Sequence, residues 1–176
     1  MTDILSSKVE DIVSRIKDAQ LTSVEVCEKY IERIKKFEKD VKAWVYFDKK
    51  LLLEKAQEAD EHRRAGKPTG PLHGIPIALK DIIGTIDMPT ECGTPIRKGK
   101  SYSQNAEIID LLLSAGAIVM GKTATSELAF LGPSKTTNPH DHTRTPGGSS
   151  SGSAASVASF MAPLSIGSQT GGSVIR

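Results

Sequence analysis

Thr145-Pro146-Gly147-Gly148-Ser149-Ser150-Ser151-Gly152-Ser153, followed by Gln169-Thr170-Gly171-Gly172-Ser173, is the part of this chain that decides its reading. Between the two Gly-Gly-Ser turns, Ser151 to Met161 predicts a helix of small residues and Leu164-Ser165-Ile166-Gly167 a short strand. A turn, a helix, a strand and a second turn can bring two serine hydroxyls together beside bare backbone amides. Gly/Ser-rich composition also suits a flexible linker. Here, however, the serines run straight into a helical Ala/Ser/Val/Met segment, and the second turn follows a strand.

Working outward, Ile75-Pro76-Ile77-Ala78-Leu79-Lys80 is an apolar run ending in a charge, set after the turn Gly70-Pro71-Leu72-His73-Gly74. Asn105 to Ala115 predicts an apolar helix with Gly116 just past its end, and Ala117-Ile118-Val119-Met120 a buried strand. A short helix near Thr125 to Phe130 and a polar loop from Gly132 to Pro146 complete this half. Upstream, Ser6 or Ser7 can cap a helix running to Asp18, and Thr22 with Glu25 forms a capping box for a helix reaching about Phe37. Ala43 to Phe47 reads as a strand, and Lys49 to Arg64 as a helix with Gly66 beyond its end. The class is α/β, with a helical region over 1–69 packing on a core that begins at 70 and runs to 176.

Composition narrows the function classes. A net charge of +2 over 176 residues gives no basic field for nucleic acid. The patch His62-Arg63-Arg64 with Lys67 reads as a solvated helix terminus. Cys27 and Cys92 make neither a disulfide framework nor a metal pattern; Cys27 reads as core, and Cys92, in a polar segment, as exposed. His140-x-His142 lacks a third ligand at recognisable spacing, and His73 reads as structural. Without a signal-like N-terminus or an apolar run of membrane length, the expectation is a soluble cytoplasmic protein.

The serine turns need a base. A serine hydroxyl is a poor nucleophile until its proton is removed, and a tetrahedral intermediate needs preorganised donors for its oxyanion. Glycines before a serine permit a sharp turn with free N–H groups. A lysine serves as base only when neutral, and burial at the end of an apolar strand favours that state, which points to Lys80.

These segments resemble the amidase signature family. Gly147 to Ala155 (GGSSSGSAA), Pro163-Leu164 and Gly171-Gly172-Ser173 are similar to its serine signature, and Gly74 to Asp81 (GIPIALKD) to its lysine motif. Ala115 to Thr123 (AGAIVMGKT) and Glu127-Leu128-Ala129 are also similar to its members. The resemblance is strong from about Gly70 onward and loose before it. It implies a mixed central sheet covered by helices, with Lys80 as catalytic lysine, Ser149 as bridging serine after a cis peptide bond, and Ser173 as nucleophile. It further implies an oxyanion hole from the backbone amides of Thr170, Gly171, Gly172 and Ser173, a small-molecule amide substrate, and neither cofactor nor metal.

Family members are more than twice this length, so an N-terminal fragment, inactive on its own, is expected. Gln169 stands where an aspartate is common, and Ser151 where many members have glycine. Arg176 falls one residue later than in the Ser-Ile-Arg form of the tRNA amidotransferase A subunits, which tilts the reading toward a free-standing amidase, alone or as a homodimer. The amidotransferase component, with partner subunits, remains the alternative. A rival of another class is the P-loop pattern G-x-x-x-x-G-K-[ST], matched by Gly116 to Thr123. A P-loop follows a strand and wraps a phosphate, whereas Ala-Ile-Val-Met here follows a helix and itself reads as a strand.

Overall fold

The computed structural model describes residues 3–175. The first helix, α1 (Val9–Lys17), buries Ile12, Val13 and Ile16 on one face, with Glu10 and Asp11 in its first turn and Arg15 and Lys17 in its last. Neither Ser6 nor Ser7 caps it. Lys8 takes the N-cap position, and both serine hydroxyls donate instead to the Asp3 carbonyl (3.1 and 2.9 Å). Asp3 accepts from Leu5 N and closes a 3-10 turn over Ile4–Ser6, so the serines are used up one turn early.

The capping box of Thr22 and Glu25 opens α2 (Ser23–Val41) as its sequence predicts, but the helix runs one turn beyond Phe37. Its N-terminus is also capped from afar. The Asp60 carboxylate, on α3 (Lys49–Arg64), accepts from Ser23 N (2.7 Å) and Val24 N (3.1 Å). A carboxylate at a helix N-terminus satisfies orphan amides and the dipole together, so Asp60 rivets α3 to α2.

Four strands, β1 (Trp44–Phe47), β2 (Pro76–Lys80), β3 (Ile118–Thr123) and β4 (Leu164–Ile166), form one sheet in the order β1-β3-β2-β4. Strands β2, β3 and β4 are parallel, and β1 lies antiparallel along the β3 edge. Every residue of β2 and β3 is buried, which is why Ile75–Leu79 and Ala117–Met120 read as continuous apolar runs rather than alternating ones; β3 runs on past Met120 through Gly121, Lys122 and Thr123. The parallel pairs need crossovers, which contain α4 (Glu107–Ser114) and α5 (Ser151–Ala158). The predicted helix near Thr125 to Phe130 is one 3-10 turn, Glu127–Ala129, with Leu128 in a left-handed conformation.

The C-terminal ends of β2, β3 and β4 open at one edge of the sheet, where ligands bind in open parallel α/β sheets. The N-terminus of α5 is pressed into that edge. Gly152 N donates to Ala124 O (2.9 Å), and a side chain at 152 would run into the backbone of Ala43 and Ala124. Only glycine permits this approach.

Candidate active site

Lys80 ends β2, is fully buried, and lies level with Thr123 of β3. Its Nζ donates to Ser149 Oγ at 2.7 Å, to Ser168 Oγ at 3.0 Å and to Ser168 O at 3.3 Å. Burial lowers its pKa from 10.5 to about 8, so a neutral amine is accessible near neutral pH. Ser149 is buried at the entrance to α5, and the Gly148–Ser149 peptide bond is cis. Thr123 Oγ1 meets Ser153 Oγ at 2.9 Å, and Ser153 Oγ donates to Ile166 O (3.2 Å), so hydroxyls tie β3, α5 and β4 together here.

Ser173 is half-buried in the second glycine–serine turn. Its carbonyl accepts from Ser150 N (2.9 Å), which holds the turn against the start of α5 beside Ser149. Among the described residues, Ser173 Oγ makes no hydrogen bond to Ser149 or Lys80. The structure therefore bonds Lys80 directly to Ser149 and brings Ser173 alongside through its main chain.

Gln169 closes the turn. Its Oε1 accepts from Val174 N (2.9 Å) and Ile175 N (3.2 Å). The amides of Thr170, Gly171, Gly172 and Ser173 donate to no protein acceptor among the described residues, and Thr170 and Gly171 are exposed. Unpaired amides on successive residues form the kind of cradle that binds an anion. Arg176 lies outside the described residues.

Two contributors are missing from the sequence reading. Ser168 stands two residues past β4. The register Leu79↔Ile166 brings it beside Lys80, and only the strand pairing reveals this. Lys122 is the other, since the sequence offers it only as the lysine of the P-loop pattern. It is level with Leu79, so it leaves β3 on the face opposite Lys80. Its Nζ donates to Ile83 O and Thr90 Oγ1, both at 2.6 Å, and lies 3.9 Å from the buried Asp81 carboxylate. Asp81 Oδ1 also accepts from Glu91 N (3.2 Å) and Asp81 O from Cys92 N (2.9 Å), so this cluster folds residues 81–92 back onto the end of β2. Burial lowers the pKa of Lys122 to about 8 and raises that of Asp81, with each partly offsetting the other's shift.

The P-loop pattern fails on this geometry, because its central residues are paired in β3 and its lysine is buried in the interior. Cys92, expected to be exposed, is buried: its amide bonds Asp81 O and its carbonyl accepts from Leu128 N (2.8 Å). Cys27 is buried on α2, and His73 is buried with its ring against Ala59 O. His140 and His142 are exposed, and the described residues contain no group of three or more His, Cys, Asp or Glu able to hold a metal ion. None of the described helices is long and apolar enough to cross a membrane.

The Amidase family profile matches residues 25–176. The chain is 38% identical to the A subunit of the glutamyl-tRNA(Gln) amidotransferase from Streptomyces coelicolor, covering 99% of this chain and 36% of the relative. It is 39% identical to the corresponding protein of Chloroflexus aurantiacus, covering 99% and 37%. Among solved structures, the peptide amidase of Stenotrophomonas maltophilia superposes with a TM-score of 0.90 at 35% identity, over 97% of this chain and 37% of that one. A fatty acid amide hydrolase superposes with a TM-score of 0.89 at 26% identity, over 97% and 31%. The chain thus spans a little over a third of the length of the curated relatives it matches. With the match running through the lysine strand and both serine turns, the chain belongs to the amidase family.

Proposed function

We propose that this chain carries the catalytic centre of an amidase, which cleaves a carboxylic amide through an acyl-enzyme on Ser173. Neutral Lys80 accepts a proton from Ser149, Ser149 takes one from Ser173, and Ser173 Oγ attacks the amide carbonyl. The C–N bond breaks as the proton returns through the same hydroxyls to the leaving amine. Water, or another nucleophile, then releases the acyl group. The amides of Thr170, Gly171, Gly172 and Ser173 hold the oxyanion while it exists.

The observation that carries this reading is the 2.7 Å bond between Lys80 Nζ and Ser149 Oγ, made by a buried amine whose pKa lies at about 8. A general base needs both that reach and that pKa. The test is covalent labelling with a fluorophosphonate, with the adduct located by mass spectrometry. Label is expected on Ser173, with Ser149→Ala slowing it by about a hundredfold or more. Labelling that survives Ser173→Ala would sink the assignment.

A second reading is favoured by the 38% identity to an amidotransferase A subunit: the amide is then glutamine, and its ammonia passes to an acceptor bound by partner subunits. Glutamine turnover that rises only with those subunits present would select it over a free-standing amidase.

A further inference from the structure

We propose that Ser168 is a positioning residue for Lys80, orienting the amine so that its lone pair faces Ser149. The proposal rests on the relay given above. A neutral amine has two N–H groups and one lone pair, while an ammonium has three N–H groups and none. Lys80 Nζ has three oxygens around it: Ser149 Oγ, Ser168 Oγ and Ser168 O. The Ser168 carbonyl can only accept, so it claims one N–H. Two hydroxyls remain, Ser149 Oγ at 2.7 Å and Ser168 Oγ at 3.0 Å, and we assign the second N–H to the Ser168 hydroxyl. The position left over faces Ser149 Oγ, and in the neutral amine that position is the lone pair.

When the Ser149 proton arrives, the new N–H points back at Ser149, and all three ammonium hydrogens have acceptors. Ser168 thus does two things with one residue: it aims the base, and it makes the charged form tolerable in a fully buried site.

Ser168 is itself held in place. Ser150 Oγ donates to Ser168 O (3.1 Å) and lies 3.2 Å from Ser168 N, which donates to it. The peptide facing Lys80 is therefore clamped from α5's entrance. Charged groups do not compete for this task. Asp81 and Lys122 lie together on the opposite face of the sheet, and α5 and β4, which flank Lys80, contain no ionisable side chain.

The test reads Lys80 directly. Lysine labelled with carbon-13 at Cε is titrated by NMR in this chain, and Lys80→Met assigns the resonance. Ser168→Ala removes an acceptor of the ammonium and is expected to lower the Lys80 midpoint by about one pH unit. Ser168→Thr keeps the hydroxyl and should hold the midpoint within about 0.3 unit of the original. Ser150→Ala gives an independent arm: it releases the Ser168 peptide and should move the midpoint in the same direction. A midpoint that stays put or rises in both alanine variants overturns the role of Ser168. This is distinct from failure of the relay, which would show as no label on Ser173 whatever Lys80 does.

Discussion

Replacing Lys80 with methionine should remove the proposed chemistry and yet stabilise the fold at neutral pH. Lys80 is fully buried, and desolvation is the only cause that lowers its pKa from 10.5 to about 8. A depression of that size corresponds to about 3 kcal/mol, at 1.36 kcal/mol per unit, held against the folded state when the amine is charged. Methionine fills nearly the same volume without the charge. It also forfeits the bonds to Ser149 and Ser168, which offsets about 1 to 2 kcal/mol of the gain. The net expectation at pH 7 is a Lys80→Met protein more stable by about 1 to 2 kcal/mol.

The sign follows from proton counting. Between about pH 8 and 10.5 the unfolded chain holds a proton on Lys80 that the folded chain has released, so wild-type stability rises with pH across that window. Below the window both states are protonated and the wild type carries the whole penalty. Urea unfolding of both proteins from pH 7 to 10.5 tests this. Contributions from other lysines and tyrosines cancel in the difference, and the advantage of Lys80→Met should shrink by about 3 kcal/mol and change sign. A difference that is flat over this range would refute the claim that the buried amine is strained by desolvation. A trade of stability for a poised base is the pattern expected at a catalytic site.

The second buried lysine behaves differently because it has a counter-charge. Lys122→Met leaves the buried Asp81 carboxylate without its counter-charge and Ile83 O and Thr90 Oγ1 without their shared donor, and should cost about 3 to 5 kcal/mol in urea unfolding. Adding Asp81→Leu to that variant should recover part of the loss; recovery of none would mean that the two groups are not coupled. Gly152→Ala drives a methyl group into the backbone of Ala43 and Ala124, where no side chain can swing aside. It is expected to cost about 3 kcal/mol in urea unfolding, and a cost below about 1 kcal/mol would show that α5 can back away from the sheet edge.

Local rules carried most of the elements. The capping box at Thr22, the apolar runs that form most of β2 and the first half of β3, and Gly66 and Gly116 past the ends of α3 and α4 were legible because each depends on residues a turn or less apart. Where a local rule failed, another residue had pre-empted it. Asp3 took the Ser6 and Ser7 hydroxyls, and the carbonyl of Asp81 and the amide of Leu128 drew Cys92 inward.

The sequence alone determined the residue types that meet at the sheet edge: a lysine ending an apolar strand, and two glycine–serine turns around a small-residue helix. Glycine patterns and apolar runs are one-dimensional signals, and the chain displays them without folding. Only the tertiary structure decided who touches whom. Ser168 reaches Lys80 because β4 pairs in parallel with β2, eighty-eight residues away along the chain. Lys122 joins Asp81 rather than Lys80 because strand alternation sends the two lysines to opposite faces. Burial, which converts Lys80 from an ordinary cation into a candidate base, is likewise a property of the packed sheet, since a lysine is desolvated only by what other segments lay over it.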